Sequence, residues 1–436
     1  MDDGPGQDED DAAADAAPGA PLTRRGALLL AAGGAAVLAA AGAGLTAARS
    51  DGSGQGSAED AGAAAEPAAR FDPRAAASVL AARAAAVRDG DRTAFLATVG
   101  TAPAAFQEAQ SRLYDNLRAL PLDGWRERLA GTRAAGPGAV VARVETGYRL
   151  RGFDRTGVVR TRHLAFAPRS GTWTIVGDGT AHGLTDDADI VDGGALTVVR
   201  GRSCLVIGDT SGLHAIARRI DAAVPAVSGV VGTDWARRAV ALVPAAPRLA
   251  AALAGQGPDL GSIAALATVT PGPDGPGRGE DRVIVSPATF ARLNGLGRDV
   301  VLTHELTHVA TGGARDRTTP LWLIEGLADY VGYRGAKVSV RSAARELRRE
   351  VAAGRPPTAL PTAEAFAGTS GRLSQSYQEA WLACRMIADR YGETTLVRLY
   401  RAAGRASEPA ALRDVLGLTK AALTTMWRDY VKEELA

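Results

Sequence analysis

Apolar and polar positions divide the 436-residue chain into stretches of different kinds. Gly26 to Ala48 runs 23 residues without a charge, rich in Ala and Gly. That is long enough to span a bilayer, which needs about 20 residues. Residues 49–70, mostly Gly, Ser, Ala and acidic, read as a flexible linker. Periodic patterns begin after it. Arg74 to Val87 is an Ala-rich helix with Leu80 and Val87 on one side, and Asp89-Gly90-Asp91 breaks it. Arg92–Val99 and Phe106–Leu117 read as two more helices. Ala139–Arg149, Val158–Phe166 and Thr172–Val176 carry the partial alternation and β-branched residues of strands.

The order changes in the second half. Leu196–Val199 and Cys204–Ile207 flank Arg200-Gly201 as a hairpin, and Leu213–Ala223 is a helix. Ala239–Val243 and Arg282–Val285 read as strands. From Pro287 onward the pattern is almost wholly helical, apart from Gly/Pro breaks near 311–320 and 354–361. Strands in one block and helices in another predict an α+β architecture in both halves, with units over 71–180 and 195–436. The length favours two or three domains. No internal repeat of fixed period is present.

Composition refines this picture at three points. Residues 1–20 hold seven acidic residues and no basic ones, so residues 1–25 read as a disordered acidic leader on the cytoplasmic side. Arg24-Arg25 then stands before the apolar run, so residues 26–48 read as a membrane anchor or a twin-arginine signal. The anchor fits the acidic leader better and gives a single-pass protein with its folded part extracytoplasmic; the signal gives a secreted one. The net charge of +2, from 50 basic and 48 acidic residues, gives no reason to expect a nucleic-acid partner. The two cysteines, Cys204 and Cys384, form no close pair, so a thiolate metal site is unsupported. Cys384 reads as a buried thiol, and in an exported protein a Cys204–Cys384 disulfide stays open.

The chemistry concentrates in His304-Glu305-Leu306-Thr307-His308. Two histidines at i and i+4 lie on one helix face, about 6 Å apart, and can reach one Zn²⁺. Glu305 projects beside the ion, where a carboxylate can take a proton from water. The flanking Val300, Val301, Leu302, Val309 and Ala310 predict a buried helix. Downstream, Pro320 to Tyr330 is a second apolar helix with one carboxylate pair at i and i+4, Glu325 and Asp329. A catalytic zinc takes three protein ligands and keeps one position open, and two His with a Glu is an accepted set. Glu325 is the natural third ligand. Asp329, one turn on, is placed to accept the N–H of a ligand histidine and fix its tautomer. The other three histidines, His163, His182 and His214, lack such a pattern and read as structural or surface residues.

The segments "HELTHVAT" and "PLWLIEGLADYVGYR" resemble the gluzincin-type zinc peptidases of the peptidase MA-like clan. The resemblance implies zinc ligands at His304, His308 and Glu325, a general base at Glu305 and an outer acid at Asp329. The metzincin pattern is absent, since Thr311 and Ala314 stand where its Gly and third His would be. The His308-to-Glu325 gap is slightly shorter than in the best-known members, so loop 311–320 must be compact. Clan members take an oxyanion donor from a Tyr or His of a later helix. No His follows His308, which leaves Tyr377, with Tyr330 and Tyr333 behind it. Residues 71–180, especially Ala84–Val99, resemble the cone-shaped nuclear-transport-factor-like family, whose members are enzymes or binding modules. Together these readings imply an envelope-anchored or exported zinc peptidase acting on a peptide or protein substrate. The competing reading is a non-catalytic extracytoplasmic binding protein with a structural or vestigial zinc site. The strand at Arg282–Val285, or one near Ala267–Thr270, is the place for an extended substrate to pair.

Overall fold

The computed structural model describes residues 71–135, 139–169, 171–255, 263–367 and 370–436. The leader, anchor and linker expected over 1–25, 26–48 and 49–70 lie outside these residues. Among the described residues no helix is long and apolar enough to cross a membrane.

The chain is mixed α+β, as the block pattern predicts. The first unit opens with α1 (Pro73–Asp89), α2 (Arg92–Ala97) and α3 (Ala104–Ala119). Helix α1 starts and stops where its sequence dictates. The Asp72 carboxylate accepts from Arg74 N, Pro73 fills the first turn, and Gly90 closes the helix at φ 78°. An antiparallel meander follows: β1 (Leu122–Ala134), β2 (Val140–Leu150), β3 (Val158–Arg169) and β4 (Thr172–Asp178). Strand β1 escapes the sequence reading. Trp125 alone among its 13 residues is buried, so no alternation marks it. Its pairing with β2, through Trp125–Tyr148 to Ala134–Val140, makes it a strand at the sheet edge.

The second unit begins with β5 (Thr197–Arg200), β6 (Cys204–Gly208), α4 (Leu213–Val231), β7 (Ala239–Val243), α5 (Pro247–Leu253), β8 (Ala265–Gly272) and β9 (Gly275–Val285). Its sheet has the order β5-β6-β7-β9-β8. The middle strands β6, β7 and β9 are parallel, and both edge strands run antiparallel to their neighbours. Helix α4 extends eight residues past the expected end at Ala223 and contains Pro225. An interior proline costs a helix roughly 3 kcal/mol. Burial of Val224, Val227, Val230 and Val231 offsets that cost, which local pattern alone does not anticipate.

Helices complete the second unit: α6 (Pro287–Ala291), α7 (Gly295–Thr311), α8 (Leu321–Tyr333), α9 (Val340–Ala343), α10 (Arg345–Ala352), α11 (Leu373–Tyr391), α12 (Glu393–Ala403), α13 (Glu408–Leu416) and α14 (Lys420–Leu435). One face of the second sheet packs on these helices and α4, with Val206, Ala241, Val283 and Val285 in a common core with Leu302, Leu306, Leu327 and Trp381. The opposite face shares a core with the first unit. Leu205, Ile207, Val240, Leu242 and Ile284 pack in one cluster with Phe95, Tyr114, Leu117, Trp125 and Tyr148.

The two units are also latched by charge. The Glu280 carboxylate of β9 accepts from the backbone N–H groups of Arg155, Thr156 and Gly157 and from the Thr156 hydroxyl, at 2.6–3.1 Å. These donors form the β2–β3 turn. Beside it, the buried Asp154 carboxylate pairs with Arg282 at 2.8 Å. Both cysteines are free and buried, so the Cys204–Cys384 disulfide left open by the sequence does not form.

Candidate metal centre

Nine consecutive residues of α7, Val300 to His308, are buried. A helix enclosed on all sides must satisfy its polar groups internally. Its threonines do so locally: Thr303, Thr307 and Thr311 each donate to the carbonyl four residues back, at 2.7–2.8 Å. The imidazoles of His304 and His308 cannot reach their own backbone in this way. They turn to α8, which crosses α7 and carries Glu325 and Asp329.

Gly332 of α8 lets the two helices close, since a Cβ there would stand 3.1 Å from Val300 O. On the other side of α8, a Cβ at Gly326 would meet Ala380 O at 2.4 Å and Cys384 Sγ at 2.7 Å, so α11 presses directly on the α8 backbone beside Glu325. The connection between α7 and α8 is compact, as the sequence spacing requires. Gly312 ends α7 at φ 71°. Asp316 then accepts from Thr318 N, Thr319 N and both threonine hydroxyls, which closes the loop into α8.

His304 Nε2, His308 Nε2 and Glu325 Oε2 form a triangle. The two nitrogens are 3.0 Å apart and lie 3.3 and 3.4 Å from the carboxylate oxygen. Two ligands about 2.05 Å from a tetrahedral ion stand about 3.3 Å apart. The triangle therefore has the size of one face of a tetrahedral coordination shell. Glu325 is fully buried, and neither of its oxygens makes a well-directed hydrogen bond. A buried carboxylate with open lone pairs between two imidazoles is a donor set for a cation, and these three residues could hold a metal ion.

Electrostatics favour positive charge at this point. Burial works against ionising Glu325, but the imidazoles of His308 and His304 hold its carboxyl down at about 2. Burial likewise opposes charge on His304, yet Asp329, Glu325 and Glu305 together raise it well above the usual imidazole range. His304 Nδ1 lies 2.8 Å from Asp329 Oδ1. With that nitrogen donating to the carboxylate, the ring in its neutral form, the one a metal would take, turns its Nε2 lone pair to the triangle.

Glu305, 2% exposed, turns toward the sheet, where its Oε2 accepts from Ala267 N at 2.7 Å. Burial pushes its carboxyl up to about 7, against the pull of His304 and His308. The N–H of Ala267 belongs to β8, an edge strand of the sheet. Of the two strands named in the sequence reading as a pairing place, the one containing Ala267 is the last strand of the sheet, β8, whereas Arg282–Val285 lies inside the sheet on β9.

Tyr377 of α11 is buried, with its ring centre 6.2 Å from that of His304 and its edge against Phe366. Tyr330 points elsewhere: its hydroxyl donates to Glu393 at 3.0 Å. Tyr333 packs on Trp381, with ring centres 4.9 Å apart. Helix α12 adds a phenol that the sequence reading passed over. Tyr400 donates to Thr311 Oγ1 at 3.3 Å, and burial, with smaller contributions from the Asp316 and Glu325 charges, raises its pKa. Gly313 is a second omission. A Cβ there would stand 2.7 Å from His308 Nδ1, so only glycine leaves that imidazole its place. The repeated glycine at 312–313 is the signal in the sequence. The remaining histidines lie apart from the triangle. His163 pairs with Asp186 at 3.1 Å in the first unit, His182 sits in a 3₁₀ turn after β4, and His214 lies in the first turn of α4.

Protein-family models and curated proteins offer no match to this chain.

Proposed function

We propose that the chain is a zinc-dependent peptidase of gluzincin type, held at or exported across a membrane by residues 26–48. The observation that carries this reading is the His304–His308–Glu325 triangle, three protein ligands of tetrahedral spacing with a buried Glu305 adjoining it. A structural zinc ordinarily takes four protein ligands, whereas three leave a position for water. That contrast favours catalysis over a structural or vestigial ion.

Zinc, when bound there, would acidify a water molecule and polarise a peptide carbonyl. The protein supplies the rest. Glu305 takes the proton of the attacking water and returns it to the leaving amine, a task suited to a carboxyl whose pKa burial has raised to about 7. Asp329 holds the His304 ring in one tautomer. Tyr377, packed beside His304, is the candidate donor to the developing oxyanion. The outer edge of β8 offers backbone groups to an extended peptide.

The test is direct. The full chain is purified, its zinc content measured, and wild type compared with Glu305→Gln on a mixed peptide library. The expected result is one zinc per chain and cleavage that Glu305→Gln abolishes. Stoichiometric zinc without Glu305-dependent cleavage would favour the binding-protein reading. Zinc that stays bound after His304→Ala and His308→Ala would remove the ligand assignment.

A further inference from the structure

Where α1 and α3 end and β1 begins, the surface of the first unit holds a groove of about 360 Å³. Small-molecule sites occupy about 300–1,000 Å³. Val87, Leu117 and Trp125 form its floor; each is 1–3% exposed and belongs to the core that joins the two units. These side chains close the groove toward the interior. Its rim carries three exposed arginines and no acid: Arg88 from the last turn of α1, Arg118 from the last turn of α3, and Arg151 just after β2.

Each arginine is only partly used. Arg88 Nη1 donates to Trp125 O at 3.0 Å, Arg118 Nη1 to Val87 O at 3.3 Å, and Arg151 Nη2 to Leu122 O at 3.0 Å. These bonds hold the side chains along the groove and leave the other terminal nitrogen of each fork open. Neighbouring arginines of the same unit do find acids: Arg92 pairs with Asp115 at 3.1 Å, and Arg149 with Asp123. Asp123 stands between the groove residues Leu122 and Gly124, yet it is taken by Arg149. Capping accounts for Arg118, whose partner carbonyl lies in the last turn of α1. It does not account for three cations round one hollow with no counter-charge.

We propose that this groove binds a small phosphomonoester. Like charges round a hollow repel, and an anion between them relieves the repulsion. A phosphoryl group brings a charge of about −1.5 to −2 and three strong acceptor oxygens, which suit guanidinium forks. Those oxygens take the terminal nitrogens that the carbonyl bonds leave open, and the ester body packs on the half-buried Pro121 and Leu122. The groove is separate from the metal centre and does not rest on the peptidase reading.

The experiment uses the full chain with a chelator present, so that no metal at the histidine triangle takes the anion. Phenyl phosphate, benzoate and benzyl alcohol share one ring and differ in charge. Each is titrated by calorimetry at about pH 7.5, above the second phosphoryl pKa near 6. Phenyl phosphate is expected to bind saturably. Benzoate, with fewer oxygens and a single charge, should bind about five- to tenfold more weakly, and benzyl alcohol not measurably. Affinity for phenyl phosphate should fall as pH drops through about 6 and as salt rises, since the arginines are exposed. Arg88→Gln, Arg118→Gln and Arg151→Gln should each weaken it about two- to fivefold. Arg118→Lys, which keeps the charge but not the fork, should fall between wild type and Arg118→Gln. Arg341→Gln, at an exposed position of the second unit, changes the net charge equally and should leave binding unchanged. The comparison of probes on wild type stands even where a variant fails to fold. Phenyl phosphate that does not saturate, benzyl alcohol that binds as tightly, or Arg118→Gln and Arg151→Gln that bind as Arg341→Gln does would overturn the proposal.

Discussion

His304 Nδ1 and Asp329 Oδ1 stand 2.8 Å apart across the α7–α8 crossing, while Glu325, one turn earlier on α8, faces the Nε2 atom of the same ring. One histidine is therefore gripped on both nitrogens by a single helix. The i, i+4 spacing of two acids on α8 matches the i, i+4 spacing of two histidines on α7, and the crossing turns the two pairs into one site.

Asp329→Ala removes the acceptor that sets the His304 tautomer. Loss of such an outer partner typically weakens metal binding about 10–100-fold. Competition with a chromophoric chelator is expected to show a drop in that range, with Asp329→Asn intermediate because it retains an acceptor oxygen. An affinity unchanged in Asp329→Ala would mean that packing alone orients the ring.

Glu325→Gln separates what the carboxylate does for the metal-free fold from what it does for zinc. A saturating ligand at about 100 times its Kd stabilises a protein by roughly 2.7 kcal/mol. Adding zinc to the metal-free wild type should therefore raise the urea midpoint, and chelation should reverse the gain. The Gln variant, which lacks the carboxylate that the imidazoles hold ionised, is expected to be less stable than the metal-free wild type at neutral pH and to gain little from zinc. A full zinc response in Glu325→Gln would exclude Glu325 as a ligand.

Gly313→Ala should act on the metal site without touching a ligand. Its Cβ would lie 2.7 Å from His308 Nδ1, forcing the ring or the loop to move. Overpacking of this kind costs about 1–3 kcal/mol. Zinc affinity is expected to fall more than the stability of the metal-free protein does. The contrasting variant is Gly326→Ala, where the collision is with the backbone of α11; there the stability of the metal-free protein should fall as well.

Glu379 predicts a pH effect remote from the metal. Burial pushes its carboxyl up to about 7, opposed by Arg372, its ion-pair partner at 3.0 Å, while Glu350 adds to the rise. The folded-state pKa lies above the ordinary value of 4.5. The contribution to stability is thus complete below pH about 4.5 and is lost as pH rises through about 7, a change of roughly 3 kcal/mol. Urea midpoints of metal-free wild type are expected to decline over that window, and those of Glu379→Gln to decline less. Parallel curves for the two proteins would remove Glu379 as the titrating group.

Much of the fold is legible because local rules and tertiary needs agree. Gly90 ends α1 at the break that Asp89-Gly90-Asp91 marks in the sequence, and the hairpin of β5 and β6 needs only its turn and its apolar flanks. The misses have physical causes. Strand β1 is specified by hydrogen bonds to β2 and not by a buried side-chain face. Helix α4 outlasts Pro225 because three valines beyond it, Val227, Val230 and Val231, find a core. The shared core of Leu205 and Ile207 with Phe95 and Leu117 joins residues about a hundred positions apart, and no window of sequence reports such a contact.

By itself the sequence determined which residues are able to bind a metal: the two histidines one turn apart, the acid between them, and two further acids one turn apart on an apolar helix. Helical periodicity fixes those pairings because it is local. Tertiary structure decided the rest. The close approach of α7 and α8 through Gly332, and of α8 and α11 through Gly326, brings Glu325 within 3.4 Å of both imidazoles. The β8 edge places Ala267 N on Glu305, and Gly313 makes room for His308. These are distances between segments far apart in the chain, set by packing, which composition and spacing constrain but do not specify.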